Sequence, residues 1–514
     1  METYDVVIVG YGPVGQTLAL ALGRRGHRVA VLERHPELYG RARAGHIDGE
    51  IMRMFQGLGV AEDLEPLMSP VHSYEMVDAD WRVLRRIDAG APSTGWQHDY
   101  LFYQPDLEDV LHKAVEELPS VQVHQAREAT AITQHADHVE VTARETPSGA
   151  TETFWARYVV GADGARSFVR HAAGITSSDL GFPPTRYLVI DIKHRDPGVS
   201  IPRMGELRQV LDPARPRHAS RWNGSEHSRT EFMILPGESL EELESTDRCW
   251  ELLEHHWGLA RDSGELVRHA VHTFETTLAD DWRRDRILLA GDAAHVMPPF
   301  LGQGLCSGLR DVANLDWRLD LVLRERAQDA LLDDYQTERR PHAQRLIQAS
   351  AQIAEQCTIL DPEAARARNA ELAAELQPHS FDRNLLAGTL AAATPNAGEL
   401  FIQGRVHHGG RNARLDDLLG NGWRVLTRHP IPDELIDPPA RAVLDALEVT
   451  VAHVTRGRVP GALLDIDASY DQWFTSTGNE LAVERPDHYL FGAGQTTDLP
   501  ALLADLGRRT HVHF

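Results

Sequence analysis

The feature that most restricts this chain is Gly10-Tyr-Gly12-Pro13-Val14-Gly15, because of what flanks it. Before it runs Asp5-Val-Val-Ile-Val9, a continuous apolar, β-branched stretch of the kind that forms a strand buried on both faces. After it, residues 16–25 place apolar side chains at Leu18, Ala19, Ala21 and Leu22 and end at Gly26, which predicts a helix. Residues 27–32 predict a second strand that closes on Glu33. Strand, glycine turn, helix and strand make one right-handed βαβ unit. In such a unit Gly10 permits the tight turn, Gly12 lets the backbone approach a diphosphate, and Gly15 lets the helix pack on the strand. The diphosphate then faces free N–H groups at the positive end of the helix. Glu33 is placed to accept hydrogen bonds from a ribose, with Arg34 beside it. This motif does not separate FAD from NAD.

A length of 514 residues suggests about three domains. Acidic residues outnumber basic ones by 76 to 52, and the net charge of −24 argues against nucleic acid or an anionic membrane as partner. Only two lysines occur, Lys113 and Lys193, so arginine supplies nearly all positive charge. Cys249, Cys306 and Cys357 are too few and too scattered for a disulfide framework or a Cys-rich zinc site, so a reducing, cytoplasmic setting and no metal are expected. The N-terminus has no basic region of a signal sequence, and no stretch approaches the 18 uninterrupted apolar residues of a membrane span.

Further along, helical periodicity appears over 41–62 and 105–118, and short strands over 120–161. Alternating strand patterns over 180–275 predict a separate sheet. A parallel-type strand returns at Ile287-Leu-Leu-Ala-Gly-Asp292, followed by a long helix over 304–323 and an Ala-rich helical stretch over 326–392. After Pro395 and Gly398 short strands alternate with helices again.

Two later segments repeat the logic of the first. Val159-Val-Gly-Ala-Asp163-Gly164-Ala-Arg-Ser167 and Leu288-Leu-Ala-Gly291-Asp292, the latter running on through Pro298 and Pro299 to Gly302-Gln303-Gly304, each join a strand end to a glycine turn and a helix. With these three ordered motifs nearly the whole chain resembles the single-component FAD-dependent aromatic hydroxylases, the fold group of p-hydroxybenzoate hydroxylase. Phe232-Met-Ile-Leu-Pro-Gly-Glu, Val189-Ile-Asp-Ile and the tail Glu484-Arg-Pro-Asp-His-Tyr bring it closest to the 3-(3-hydroxyphenyl)propionate hydroxylase-like branch.

The resemblance implies an α/β fold: a discontinuous Rossmann-like FAD-binding domain (1–178 and 276–395, with a helical linker), an inserted mixed β-sheet substrate domain (179–275), and a C-terminal thioredoxin-like domain (396–514). That last domain contains no cysteine, so thiol–disulfide exchange there is impossible, leaving a structural or oligomer-interface role and a homo-oligomer among the expected partners. It implies FAD as cofactor, NADH or NADPH as co-substrate, and hydroxylation of a small phenol by O2 through a flavin C4a-hydroperoxide. Asp292 would hold the ribityl chain. Gly291, Pro298, Gly302, Gln303, Gly304 and Leu305 would form the turn and helix start aimed at the flavin ring, where the helix N-terminus favours the anionic reduced ring. Pro13 and Val14 would join the glycine loop, Arg43 and Gln104 would contact the ribityl and phosphate region, and Asp163 and Gly164 would touch FAD. Relatives often carry Asn where Cys306 stands; Cys306 itself reads as a packed small residue.

A phenol has a pKa near ~10, so a base that helps form the phenolate would activate the ring. His46 is the candidate, matching a histidine near the ring in 2-hydroxybiphenyl hydroxylase-like relatives, although the phenylpropionate enzymes lack it. Arg217, Arg221 and Arg229 are candidates to bind a substrate carboxylate through two bonds. Two other readings stay open: a dehydrogenase or oxidase on the same fold, which would need no NAD(P)H, and a non-catalytic dinucleotide-fold protein, against which the Gly291-Asp292 segment speaks.

Overall fold

The computed structural model describes residues 3–90, 92–198, 201–222, 226–374, 384–390, 394 and 396–513. Thr3–Val9 sits at the centre of an eight-stranded sheet, parallel to Val29–Leu32 on one side and to Thr151–Gly161 on the other. Val121–His124 and Ile287–Leu289 extend it in the same direction, so Val160 lies opposite both Ile8 and Leu288. Val6, Val7 and Ile8 are fully buried, as a strand covered on both faces requires. The helix Pro13–Arg24 starts earlier than its apolar pattern suggests, because Pro13 fits the first helical position.

The inserted unit is a seven-stranded sheet containing Gly264–Phe274, Thr185–His194, His227–Met233, Arg217–Trp222 and Leu207–Val210. Its two remaining strands are Ser73–Val77 and Val83–Asp88. The substrate sheet is therefore not confined to 179–275. Tyr74 pairs with Leu207 in a parallel ladder across a long sequence gap, which no local pattern records. Alternation gives the sheet two faces. Leu188, Ile190, Ile192 and Phe232 pack under the helix Thr246–Trp257, in a core that includes Trp250, Leu253 and Trp257. Tyr187, Val189, His218 and Glu231 point the other way, toward the first domain.

Gly304–Leu323 forms the long helix expected there. The Ala-rich stretch contains two helices, Asp333–Cys357 and Pro362–Ala374; its residues 375–383 and 391–392, like the expected boundary at 395, lie outside the described residues. The C-terminal unit is a thioredoxin-like α/β layer: parallel Arg424–Thr427 and Thr450–Thr455 continue through antiparallel Leu481–Glu484 and Leu490–Gly494, with helices Pro438–Ala446, Ser469–Thr477 and Leu499–Arg509. Val425, Val483, Phe491 and Leu503 belong to the same hydrophobic cluster as the strands of the first domain. Among the described residues no helix is long and apolar enough to cross a membrane.

Candidate active site

Gly10 follows the central strand with φ +103°, and its N–H donates to the Leu32 carbonyl at 2.8 Å. A methyl group there would lie 2.4 Å from the Ala162 oxygen, and one on Gly15 would lie 2.1 Å from the Gly10 oxygen. On Gly12 it would meet nothing within 4 Å, because this glycine faces a cavity. Strand, turn and helix are thus in contact at two of the glycines, while the third leaves room for a ligand at the helix N-terminus. Glu33 holds the adjoining loops, accepting from Tyr11 N–H and His35 N–H, both at 2.9 Å.

The cavity has a volume of about 1690 Å³ and runs from this turn to the inner face of the substrate sheet. That exceeds the roughly 300–1,000 Å³ of an ordinary small-molecule pocket. It suits a dinucleotide followed by a substrate. Every expected cofactor residue lines it except Gly15, packed behind the turn, and Pro298, whose buried carbonyl accepts from Ser350 Oγ at 2.6 Å. Asp292 opens onto the cavity and forms no hydrogen bond or ion pair with another described residue. It nevertheless lies deep in the fold, and dehydration raises its carboxyl above the usual range against the pull of His295 and Arg43. Arg43 is exposed beside the Tyr39 ring, 4.6 Å from its centre. An open cradle over Gly12, an unpaired carboxylate and an available guanidinium fit the ribityl diphosphate of FAD.

Several expected residues act on neighbours. Gln104 accepts from Arg43 N–H (2.7 Å) and Ala44 N–H (2.8 Å), setting the loop rather than offering its amide oxygen to a ligand. The buried Gln303 side chain accepts from Arg310 Nη1 at 2.9 Å, so this residue reaches the cavity mainly through its backbone. Arg310 also bonds Asp48 and Glu50, and Tyr489 of the C-terminal unit donates to Glu50 at 2.8 Å. The tail therefore reaches the flavin-side turn through three side chains. Asp311, which sequence reasoning missed, accepts from Gly291 N–H (3.0 Å), His295 Nε2 (2.7 Å) and Arg339 Nε (2.9 Å). Burial pushes its carboxyl up, but His295 and Arg339 outweigh this and hold it below the usual range. Cys306 is a buried free thiol, as packing predicts.

His46 is on the cavity wall, but not as a free base. Its Nε2 meets Asp99 Oδ1 at 2.8 Å and its Nδ1 meets the Gly302 carbonyl at 3.1 Å. Two acceptors call for two ring protons. Burial pulls its pKa down, yet the Asp99 bond prevails and raises it well above the ordinary histidine value. The expected base, His46, thus has both ring nitrogens engaged by the protein and braces the Gly302 turn. A raised folded-state pKa gives stability that is complete below the unfolded value near ~6.5 and is lost as pH rises through the folded one. Thermal melts from pH 6 to 10 are expected to show this alkaline loss in the wild type, and Asp99→Asn is expected to abolish it and lower the melting temperature by roughly 3 °C.

Of the three expected substrate arginines, one lines the cavity. Arg217 does not line the cavity; it bonds Asp212 at 2.9 Å and lies over the rings of Trp81 and Trp257. Arg221 does not line it either. Arg229 does, but its guanidinium is held by Asp191 (2.7 and 2.9 Å) and the carbonyls of Arg43 (2.7 Å) and Ala42 (2.8 Å). It anchors the Arg43 loop to the sheet.

Residues 3–350 match the family described as an FAD binding domain, and residues 398–509 match the HcaD C-terminal domain. A probable NADH-specific resorcinol 4-hydroxylase of Rhodococcus jostii is 36% identical, covering 98% of this chain and 95% of its own. A 3-(3-hydroxy-phenyl)propionate/3-hydroxycinnamic acid hydroxylase of Escherichia coli is 32% identical over 95% and 91%. Among solved structures, the flavin-dependent monooxygenase PieE, in complex with FAD and substrate, superposes with a TM-score of 0.85 at 22% identity, covering 99% of both chains. Aklavinone-11 hydroxylase with FAD and aklavinone gives 0.80 at 22% over the same share. The glycine turns, the long dinucleotide cavity and relatives matched along their whole length have one common reading: the chain belongs to the FAD-dependent aromatic hydroxylases.

Proposed function

We propose that this hydroxylase uses NADH and O2 to add a hydroxyl group to a small uncharged phenol of the resorcinol class. The observation that carries the reading is the engagement of the expected carboxylate-binding arginines: Arg229 is saturated by Asp191 and backbone carbonyls, and Arg217 turns away to Asp212. A phenylpropionate would bring a charge that neither of these groups is free to pair, and burying an unpaired carboxylate is costly. The resorcinol hydroxylase relative supports the same choice of ring and of NADH.

Gly10, Gly12, Glu33 and Arg43 would hold the diphosphate and ribose of FAD, and Asp163, Asp292 and the Gly302–Gly304 turn the ribityl chain and ring. When bound, FAD supplies the redox chemistry that carries electrons from the nicotinamide to O2. The chain's own residues orient the ring, exclude water and manage protons. Val189, Leu207, Met76, Phe274 and Phe300 form apolar walls around the substrate end. His46 keeps the Gly302 carbonyl fixed.

The test is a panel of resorcinol, phenol and 3-(3-hydroxyphenyl)propionate with NADH and with NADPH, scoring cofactor oxidation and hydroxylated product separately. Resorcinol with NADH is expected to give the highest coupled kcat/KM, by at least ~10-fold over the phenylpropionate, the scale of one lost ion pair. A phenylpropionate preference overturns the substrate class, and product formed without any nicotinamide overturns the reaction.

A further inference from the structure

The substrate end of the cavity contains two titratable side chains to which the site described so far gives no task. Glu231 lies on His227–Met233 and His218 on Arg217–Trp222, and the two are directly opposite in the antiparallel ladder. Opposed residues present their side chains on the same face, with Cβ atoms roughly 4.5–5.5 Å apart. Both line the cavity, and neither forms a side-chain hydrogen bond or ion pair with another described residue. Val189 is the partner of Glu231 on its other side, and Ser220 follows His218 along the same face. Polar groups on a cavity wall that no protein atom engages are available to complete their bonds with a ligand.

We infer that Glu231 and His218 are the phenol-recognition pair of this hydroxylase, with Glu231 accepting the proton of the hydroxyl that activates the ring and His218 holding the second, meta hydroxyl. The inference rests on the resorcinol-class reading and names the base that His46 does not provide. As the phenolic O–H bond breaks, its proton passes to a Glu231 oxygen and its electron pair stays on the substrate oxygen. From there it raises electron density at the ring carbons ortho and para to it. The proton returns to solvent, and the carboxylate is restored.

The surroundings match these roles. Arg229 and Asp191 are the charged groups nearest Glu231 from its own and the adjoining strand, and their mutual ion pair largely cancels their fields. Burial raises the Glu231 carboxyl above the usual range, Arg229 pulls it back and Asp191 opposes that pull. This moves a carboxylate toward the strength a base needs at neutral pH. Burial and Arg229 lower the His218 pKa to about 4, so His218 is a neutral ring able to donate from one nitrogen and accept at the other.

The experiment compares wild type, Glu231→Gln, Glu231→Asp and His218→Phe as FAD-loaded proteins, with folding checked by circular dichroism and flavin content. Resorcinol binding is read by perturbation of flavin absorbance, and NADH oxidation and product are followed from pH 5 to 9. Glu231→Gln is expected to bind resorcinol within about threefold of wild type but to turn over roughly 100-fold more slowly and lose the acidic limb of its pH profile. Glu231→Asp retains that limb at reduced rate. His218→Phe is expected to bind resorcinol about 10-fold more weakly and to leave phenol binding unchanged. Wild-type coupled turnover and an intact acidic limb in Glu231→Gln overturn the base assignment, and an unchanged preference for resorcinol over phenol in His218→Phe overturns the second contact. Failure of the wild type to hydroxylate resorcinol overturns the substrate reading instead, so the two failures are distinct.

Discussion

Gly15→Ala is expected to yield a colourless protein, about 3 kcal/mol less stable than wild type. The added Cβ would lie 2.1 Å from the Gly10 carbonyl oxygen, and Gly10 itself has no slack. It already sits at φ +103° with the Ala162 carbonyl beneath it. The strand and helix must therefore separate, and the N–H groups meant for the diphosphate move with the helix. Gly12→Ala separates folding from binding, since its Cβ meets no protein atom within 4 Å. The apoprotein should melt within a degree or two of wild type, while FAD affinity falls roughly 30-fold, about 2 kcal/mol, because the methyl group occupies ligand space. Differential scanning fluorimetry of apoprotein and fluorescence titration with FAD check both. An unaltered FAD Kd in Gly12→Ala would move the diphosphate away from this turn.

Glycine positions of this kind were legible in the sequence because their reasons are local: a strand, a turn and a helix within a few residues of each other. The same holds for Asp163-Gly164 and Gly291-Asp292, and for the long helix that begins at Gly304. What stayed hidden depends on contacts across long sequence gaps. Ser73–Val77 reads as an ordinary strand, and only its ladder with Leu207–Val210 moves it to the substrate sheet. His46 looks like a base until Asp99, 53 positions away, supplies a carboxylate. Arg229 looks like a ligand for an acid until Asp191, 38 positions away, claims its fork. Asp311 and Glu231 carry no motif at all; one is defined by the turn it ties and the other by the strand opposite. Charged residues in an arginine-rich chain gain a role only when folding reveals which are already paired.

The C-terminal unit shows how far such pairing extends, and Arg485→Met should expose it, with an expected loss of about 4 kcal/mol. Arg485 is fully buried and bonds both oxygens of Glu338 (2.9 and 2.7 Å), both of Asp487 (2.9 and 2.6 Å) and the Thr389 carbonyl (2.9 Å). Glu338 also pairs with Arg318 at 2.7 Å, so helices 304–323 and 333–357 meet the tail at one carboxylate. Removing Arg485 leaves Asp487 buried with only Asn314 Nδ2, at 3.1 Å, for a partner among the described residues. A second cluster repeats the design: Arg53 bonds Asp416 (2.6 Å) and Glu484 (2.7 Å) beside Arg424. Asp416, Glu484 and His488 are close enough to hold a metal ion, but these guanidinium groups already stand where a cation would. Burial raises the Glu338 carboxyl while Arg318 and Arg485 lower it further, to about 2. A depressed folded-state pKa contributes stability above the unfolded value near ~4.5, and that contribution is lost as pH falls through 4.5 toward 2. The wild type should lose about 3 kcal/mol over this interval from Glu338 alone, and Arg485→Met should lose less there because part of the cause is gone. Urea melts at pH 7 and pH 2 measure both effects. Because the clusters join the tail to the FAD domain in one core, a single unfolding transition is expected in the wild type. An independent second transition would mean that these buried charges do not bind the units together. This fastening continues through Tyr489, Glu50 and Arg310 to Gln303, so the tail is tied to the turn at Gly302–Gly304.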